Sequence, residues 1–99
     1  MTIAKFTFNN QYYQIRATKH ATDRMKDREI TKEIILNTIS KMKLTDLNYG
    51  INLIGNIALI DKENNISLIL DIDNKETRIV TILKKSNIRI KPDTKKVVI

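Results

Sequence analysis

The chain has no cysteine, no tryptophan, one histidine and one proline among 99 residues. Without cysteine there is no disulfide, thiolate zinc site, iron-sulfur cluster or cysteine nucleophile, and a single histidine argues against most histidine-based metal sites and a Ser-His-Asp triad. No apolar run approaches the roughly 20 residues that span a bilayer. The start, Met1-Thr2-Ile3-Ala4-Lys5-Phe6, lacks the long uncharged stretch of a signal peptide, so the sequence predicts a cytoplasmic protein with no membrane partner.

What the chain does have is positive charge. Eighteen Lys and Arg against 11 Asp and Glu give a net charge of +7, a footprint that suits a polyanionic partner, nucleic acid first. The charge is segregated: residues 1–43 hold nine bases and four acids, residues 44–83 three and six, and residues 84–99 six and one. Length and a 41% apolar content predict a single domain, 1–99, with one hydrophobic core.

Phe6, Phe8, Tyr12, Tyr13 and Ile15 flank Asn9-Asn10, whose side chains tolerate positive φ, and predict a hairpin of 2–8 and 11–17. Thr18 is placed to cap a helix over 19–28, with Ala21 and Met25 on one face and His20, Arg24 and Arg28 on a neighbouring stripe at i, i+4 and i+8. A second helix starts with Thr31 as its cap, Glu33 in the first turn and Ile30 stapled to Ile35, and runs to about Lys43 along Ile35, Leu36, Ile39 and Met42. Thr45 to Gly50 is the connector. Strands follow over 51–61, with a bend at Gly55, then 66–72 and 77–84, separated by turns at 62–65 and 73–76. The tail alternates over Ile88-Arg89-Ile90-Lys91 and meets Pro92, which confines it to a sheet edge or a loop. These elements predict an α+β fold in the order ββααβββ, or with a further terminal strand. The hairpin and two helices precede an antiparallel sheet of three or four strands, with the helices on one face.

His20 is the first candidate for chemistry, because imidazole titrates near neutral pH, where a general acid or base works best. Arg24 and Arg28 share its side of the helix, and a guanidinium can hold phosphate oxygens bidentately. The alternative is a solvated helix face on which both arginines pair with Asp23, Asp27 and Glu29. Tyr12 or Tyr13 could stack a base or pack against a helix. Lys84, Lys85, Arg89, Lys91, Lys95 and Lys96 could track a phosphate backbone, or guard an edge strand against aggregation. Asp61, Glu63, Asp71, Asp73 and Glu76 fall mostly in predicted turns and predict no metal site.

The stretch His20-Ala21-x-x-Arg24-Met25-x-x-Arg28-x-Ile30-Thr31, followed by an amphipathic helix and strands, resembles the signature of a small domain family related to RelE- and ParE-like toxins. Those toxins belong to a wider ribonuclease group that includes barnase, EndoU, the colicin nucleases and RelE. The match covers residues 18–43, and beyond them extends only to element order and the central threonine of Ile79-Val80-Thr81-Ile82. The resemblance implies a RelE-like domain that cleaves RNA without a metal or other cofactor. On that pattern His20 is the acid or base, Arg24 and Arg28 hold phosphate, and Thr81 completes the site, with Lys19, Lys84, Lys85, Arg89 and Lys91 along the nucleic acid. It also implies a toxin or a phage or mobile-element accessory protein, with RNA, free or ribosome-bound, as substrate and an antitoxin or immunity protein as partner. The chain departs from the toxins in having no tyrosine or histidine near its end.

A module that binds nucleic acid without cutting it, or a protein-interaction module such as an inhibitor, is the competing expectation. The terminal Val97-Val98-Ile99 suggests a homodimer formed by edge-strand addition.

Overall fold

Alternation of inward and outward side chains sets the first two strands. The computed structural model describes residues 1–8, 11–41, 55–73 and 76–99. In it β1 (Thr2–Phe8) and β2 (Gln11–Ala17) pair antiparallel, as the sequence predicts, while the Asn9-Asn10 turn lies outside the described residues. Ile15 and Ala17 are buried and Tyr12 and Arg16 exposed, so one face of β2 turns to the core.

Helix α1 (Lys19–Asp27) starts where Thr18 accepts a hydrogen bond from the Ala21 amide, and it buries Ala21 and Met25. Its end is closed by the Ile30 amide donating to the Met25 carbonyl at 2.9 Å. That closure puts Glu29 at φ 54, a left-handed conformation usually given to glycine. Helix α2 (Lys32–Ser40) starts at the predicted cap, Thr31, which accepts from the Ile34 amide. Ile30 and Ile35, the predicted staple, are both in the buried core. The helix stops at Ser40, with Lys41 as its C-cap, short of the predicted Lys43. Met42 and the connector from Thr45 to Gly50 lie outside the described residues.

Strands β3 (Gly55–Asp61), β4 (Ile66–Asp73) and β5 (Glu76–Leu83) make two consecutive antiparallel pairings, and β6 (Thr94–Val98) closes the chain. Gly55 begins β3, and residues 51–54, also predicted as strand, lie outside the described residues. The irregularity falls instead in β5, where Val80 is an extra residue between the Ile69–Thr81 and Leu70–Ile79 pairs.

The expected small antiparallel sheet is corrected to a single six-stranded mixed sheet in the order β1-β2-β5-β4-β3-β6. β2 joins β5 in parallel, and β6 joins β3 in parallel. Alternation tells which face of a strand is buried, but not which neighbour it takes or in which direction. Here Ala17 lies beside Ile79, and the hairpin covers the edge of β5 that β4 leaves open. The alternating stretch Ile88 to Lys91 is not a strand but part of the connection that carries the chain to β6 at the far edge.

The helix side of the sheet carries Ile57, Leu59, Leu68, Leu70, Ile72, Ile79 and Ile82, all at most 1% exposed. Asp61 ends that row of β3 and is 1% exposed. It accepts hydrogen bonds from Lys41 Nζ at 2.8 Å, from the Asn64 amide at 3.1 Å and from Asn64 Nδ2 at 2.8 Å, tying the end of α2 to the end of β3. Burial works against ionisation of this carboxyl, but the bonds from Lys41 and Asn64 outweigh it and hold its pKa below the usual range. On the other side of the sheet Ala58, Ile60 and Ser67 are also buried. Ser67 Oγ donates to the Lys85 carbonyl at 2.7 Å and fixes the start of the connection to β6 there. Among the described residues no helix is long and apolar enough to cross a membrane.

Candidate functional site

β2 ends its pairing with β5 at Ala17 and Ile79, four residues before β5 itself ends at Leu83. The last residues of β5 therefore lack a strand neighbour on that side, and their backbone groups need other partners. The chain supplies them from the two caps of α1. The Thr18 amide donates to the Ile79 carbonyl at 3.1 Å, and the Thr18 hydroxyl donates to the Val80 carbonyl at 3.2 Å while accepting from Ala21. Arg28, two turns on, donates from Nη1 to the Ile82 carbonyl. Helix α1 thus stands in for a strand along the open edge.

His20 lies inside this frame. Its Nε2 and the Thr81 hydroxyl share a hydrogen bond of 3.1 Å, joining residues 61 apart in sequence. A hydroxyl oxygen accepts as well as donates, so with the proton on Nε2 Thr81 accepts this bond both when the ring is neutral, leaving Nδ1 an unprotonated acceptor, and when both nitrogens are protonated. Nδ1 has no hydrogen-bond partner among the described residues, and His20 is exposed. The ring is oriented on one nitrogen and open to solvent on the other.

The stripe of His20, Arg24 and Arg28 is exposed at His20, but among the described residues only one of its three members pairs with an acid. His20 and Arg28 reach β5, and only Arg24 meets an acid, Asp27, at 4.0 Å across a half-exposed surface. Such a contact holds a side chain weakly. Arg24 lies one turn from each of the other two and remains available to a ligand. The first turn of α1 carries Lys19 and His20 and no acid, so nothing there offsets the positive end of the helix.

Of the other predicted residues, Lys19 and Lys84 are exposed near this edge, Lys19 next to His20 and Lys84 directly after β5. Lys85 is exposed, with its carbonyl held by Ser67. Arg89 and Lys91 are exposed on the connection to β6, and among the described residues no hydrogen bond or ion pair joins them to α1. The structure brings His20, Arg28 and Thr81 together, and among the described residues no hydrogen bond or ion pair joins Arg89 or Lys91 to them. Tyr12 is 53% exposed, which disfavours packing against a helix. Tyr13's side chain lies outside the described residues.

Two cations that sequence reasoning passed over stand close by. Arg16 and Arg78 are register partners on β2 and β5 and, with Ala17, Thr18 and Glu76, line a concavity of about 240 Å³. No motif marked them, because the parallel pairing that makes them neighbours has no local signal. Among the acids of the middle segment, Asp61 is engaged as above, Asp71 pairs with Arg78 at 2.7 Å, and Glu76, which lines the same concavity, lies 3.9 Å from Arg16.

Compared with protein-family models, with curated proteins and with solved structures, the chain matches none.

Proposed function

We propose that the chain is an endoribonuclease that works without a metal, with His20 as its general base and Arg24 and Arg28 holding the scissile phosphate. The observation that carries this reading is the bond between His20 Nε2 and Thr81, which orients the ring in either protonation state and leaves Nδ1 open. In the reaction Nδ1 takes the proton of a ribose 2′-hydroxyl. The 2′-oxygen then attacks the adjacent phosphorus, a 2′,3′-cyclic phosphate forms, and the bond to the 5′-oxygen breaks. That oxygen takes its proton from water at this exposed surface, and the His20 ring returns its own to solvent. Arg24 meets the charge that builds on the phosphate. Arg28 spends one N–H on Ile82 and keeps the rest of its five for the same oxygens. Thr81 is a positioning residue.

The test is cleavage of a single-stranded RNA in EDTA. His20→Ala should lower the rate by at least about 100-fold, the scale of one general acid or base, and leave the thermal midpoint near that of the parent. Thr81→Val, which keeps shape and loses the hydroxyl, should lower the rate by less and shift its pH profile. Full activity in His20→Ala removes the histidine from the chemistry. RNA binding without cleavage in the parent chain would favour the binding module instead.

A further inference from the structure

We infer that Arg16 and Arg78 form a second phosphate subsite, on the sheet face opposite the helices, for a nucleic-acid strand that passes His20. The inference rests on the nucleic-acid reading above. Its geometry starts from alternation: Ile15, Ala17 and Ile79 are buried on the helix side, so Arg16 and Arg78 project from the other. Their side chains are 51% and 48% exposed. As register partners on adjacent strands they sit only about 5 Å apart at the backbone.

Like charges placed directly opposite on neighbouring strands destabilise a sheet, and a ladder built for stability alone would alternate the signs. The next pair along does so, with Arg78 opposite Asp71 and bonded to it at 2.7 Å. Arg16 has no such partner, because its contact with Glu76, at 3.9 Å, is too long for a hydrogen bond. Two guanidiniums thus face one concavity with most of their ten N–H donors unspent, and a tetrahedral oxyanion between them would relieve their repulsion.

The surroundings select the source of that phosphate. Thr18 lines the concavity and also caps α1, so the subsite and His20 are two residues apart in the chain. On the same open face β2 presents Tyr12, 53% exposed, and β1 presents Lys5, the register partner of Gln14. An exposed aromatic beside cations along one strand suits a single strand of nucleic acid, which offers both bases to stack and phosphates to pair.

The experiment measures binding of a short single-stranded RNA to His20→Ala, which on the reading above cleaves it at least about 100-fold more slowly, over a range of salt concentrations. In that background Arg16→Gln/Arg78→Gln should weaken binding about tenfold and lower the slope of log affinity against log salt by roughly 0.7, the value of one phosphate contact to a single strand. Arg16→Lys/Arg78→Lys should recover much of the slope, and Glu76→Gln should tighten binding about twofold by removing a carboxylate from the concavity. Unchanged affinity and slope in the double Gln variant, with its fold intact by thermal melting, overturn the subsite. If the His20→Ala chain binds no RNA, the nucleic-acid reading fails by itself. Titration with inorganic phosphate, followed by amide shifts of Arg16 and Arg78, then decides the subsite: saturable shifts in the parent chain that vanish in the double variant support it, and their absence overturns it.

Discussion

Arg24 and Arg28 look alike in the sequence, each one turn further along the stripe that begins at His20, yet they have different surroundings. Arg28 is half-buried and bonds the Ile82 carbonyl at an edge with no strand neighbour, while Arg24 meets only Asp27 at the limit of an ion pair. A bond from a charged donor to a backbone carbonyl on a half-buried edge is worth more than a surface pair. Arg28→Ala should therefore lower stability by roughly 1–3 kcal/mol in urea unfolding, and Arg24→Ala by less than about 0.5 kcal/mol. Equal effects would mean that the Ile82 bond does no more for the fold than the surface pair. The result also decides how the proposed RNA-cleavage assay is read, since any activity lost in Arg28→Ala would combine the proposed phosphate contact with a loosened β5 edge. Helical spacing put both arginines beside His20. It gave no sign that one of them would serve the sheet.

The elements with local signals were legible. Thr18 and Thr31 cap helices as their positions predict, the hairpin strands keep their bounds, and Ala21, Met25, Ile30 and Ile35 are buried. Asp61 was not. It reads as a solvated acid at the start of a turn, and its role depends on Lys41, 20 residues away. The sign of its effect on stability follows from its lowered pKa. Ionised Asp61 stabilises the fold above the unfolded carboxyl range near pH 4, and that contribution fades as pH falls through its lower folded value. Asp61→Asn should cost roughly 1–3 kcal/mol at about pH 7, and the gap between parent and variant should narrow at about pH 3 and below. Urea midpoints of the two chains across that range test it, and a gap independent of pH would exclude the ionised carboxylate as the cause.

At the scale of the whole molecule the segregated charge keeps its order in space. The two basic ends of the sequence supply β1 and β2 at one side of the sheet and β6 at the other, and the acid-rich middle supplies β3, β4 and β5 between them. What no local pattern shows is that the hairpin belongs to this sheet at all, because parallel pairing between β2 and β5 brings together residues about 60 apart without a turn to announce it. That pairing creates the candidate site, since β2 stops at Ala17 and leaves Val80 to Ile82 to α1. It also makes residues 1–17 part of the folding unit. Removing them would expose the edge of β5 and delete Ile3 and Ile15, each contributing roughly 1.5–3 kcal/mol by burial, together with every β2 hydrogen bond to β5. Set against a total of about 5–15 kcal/mol for a domain, this loss is comparable to the whole stability. A chain of residues 18–99 should then show neither a cooperative thermal transition nor dispersed amide resonances. If it unfolded cooperatively with a midpoint near that of the full chain, the hairpin would be an appendage, and the arrangement of His20 against Thr81 would have to be explained without it.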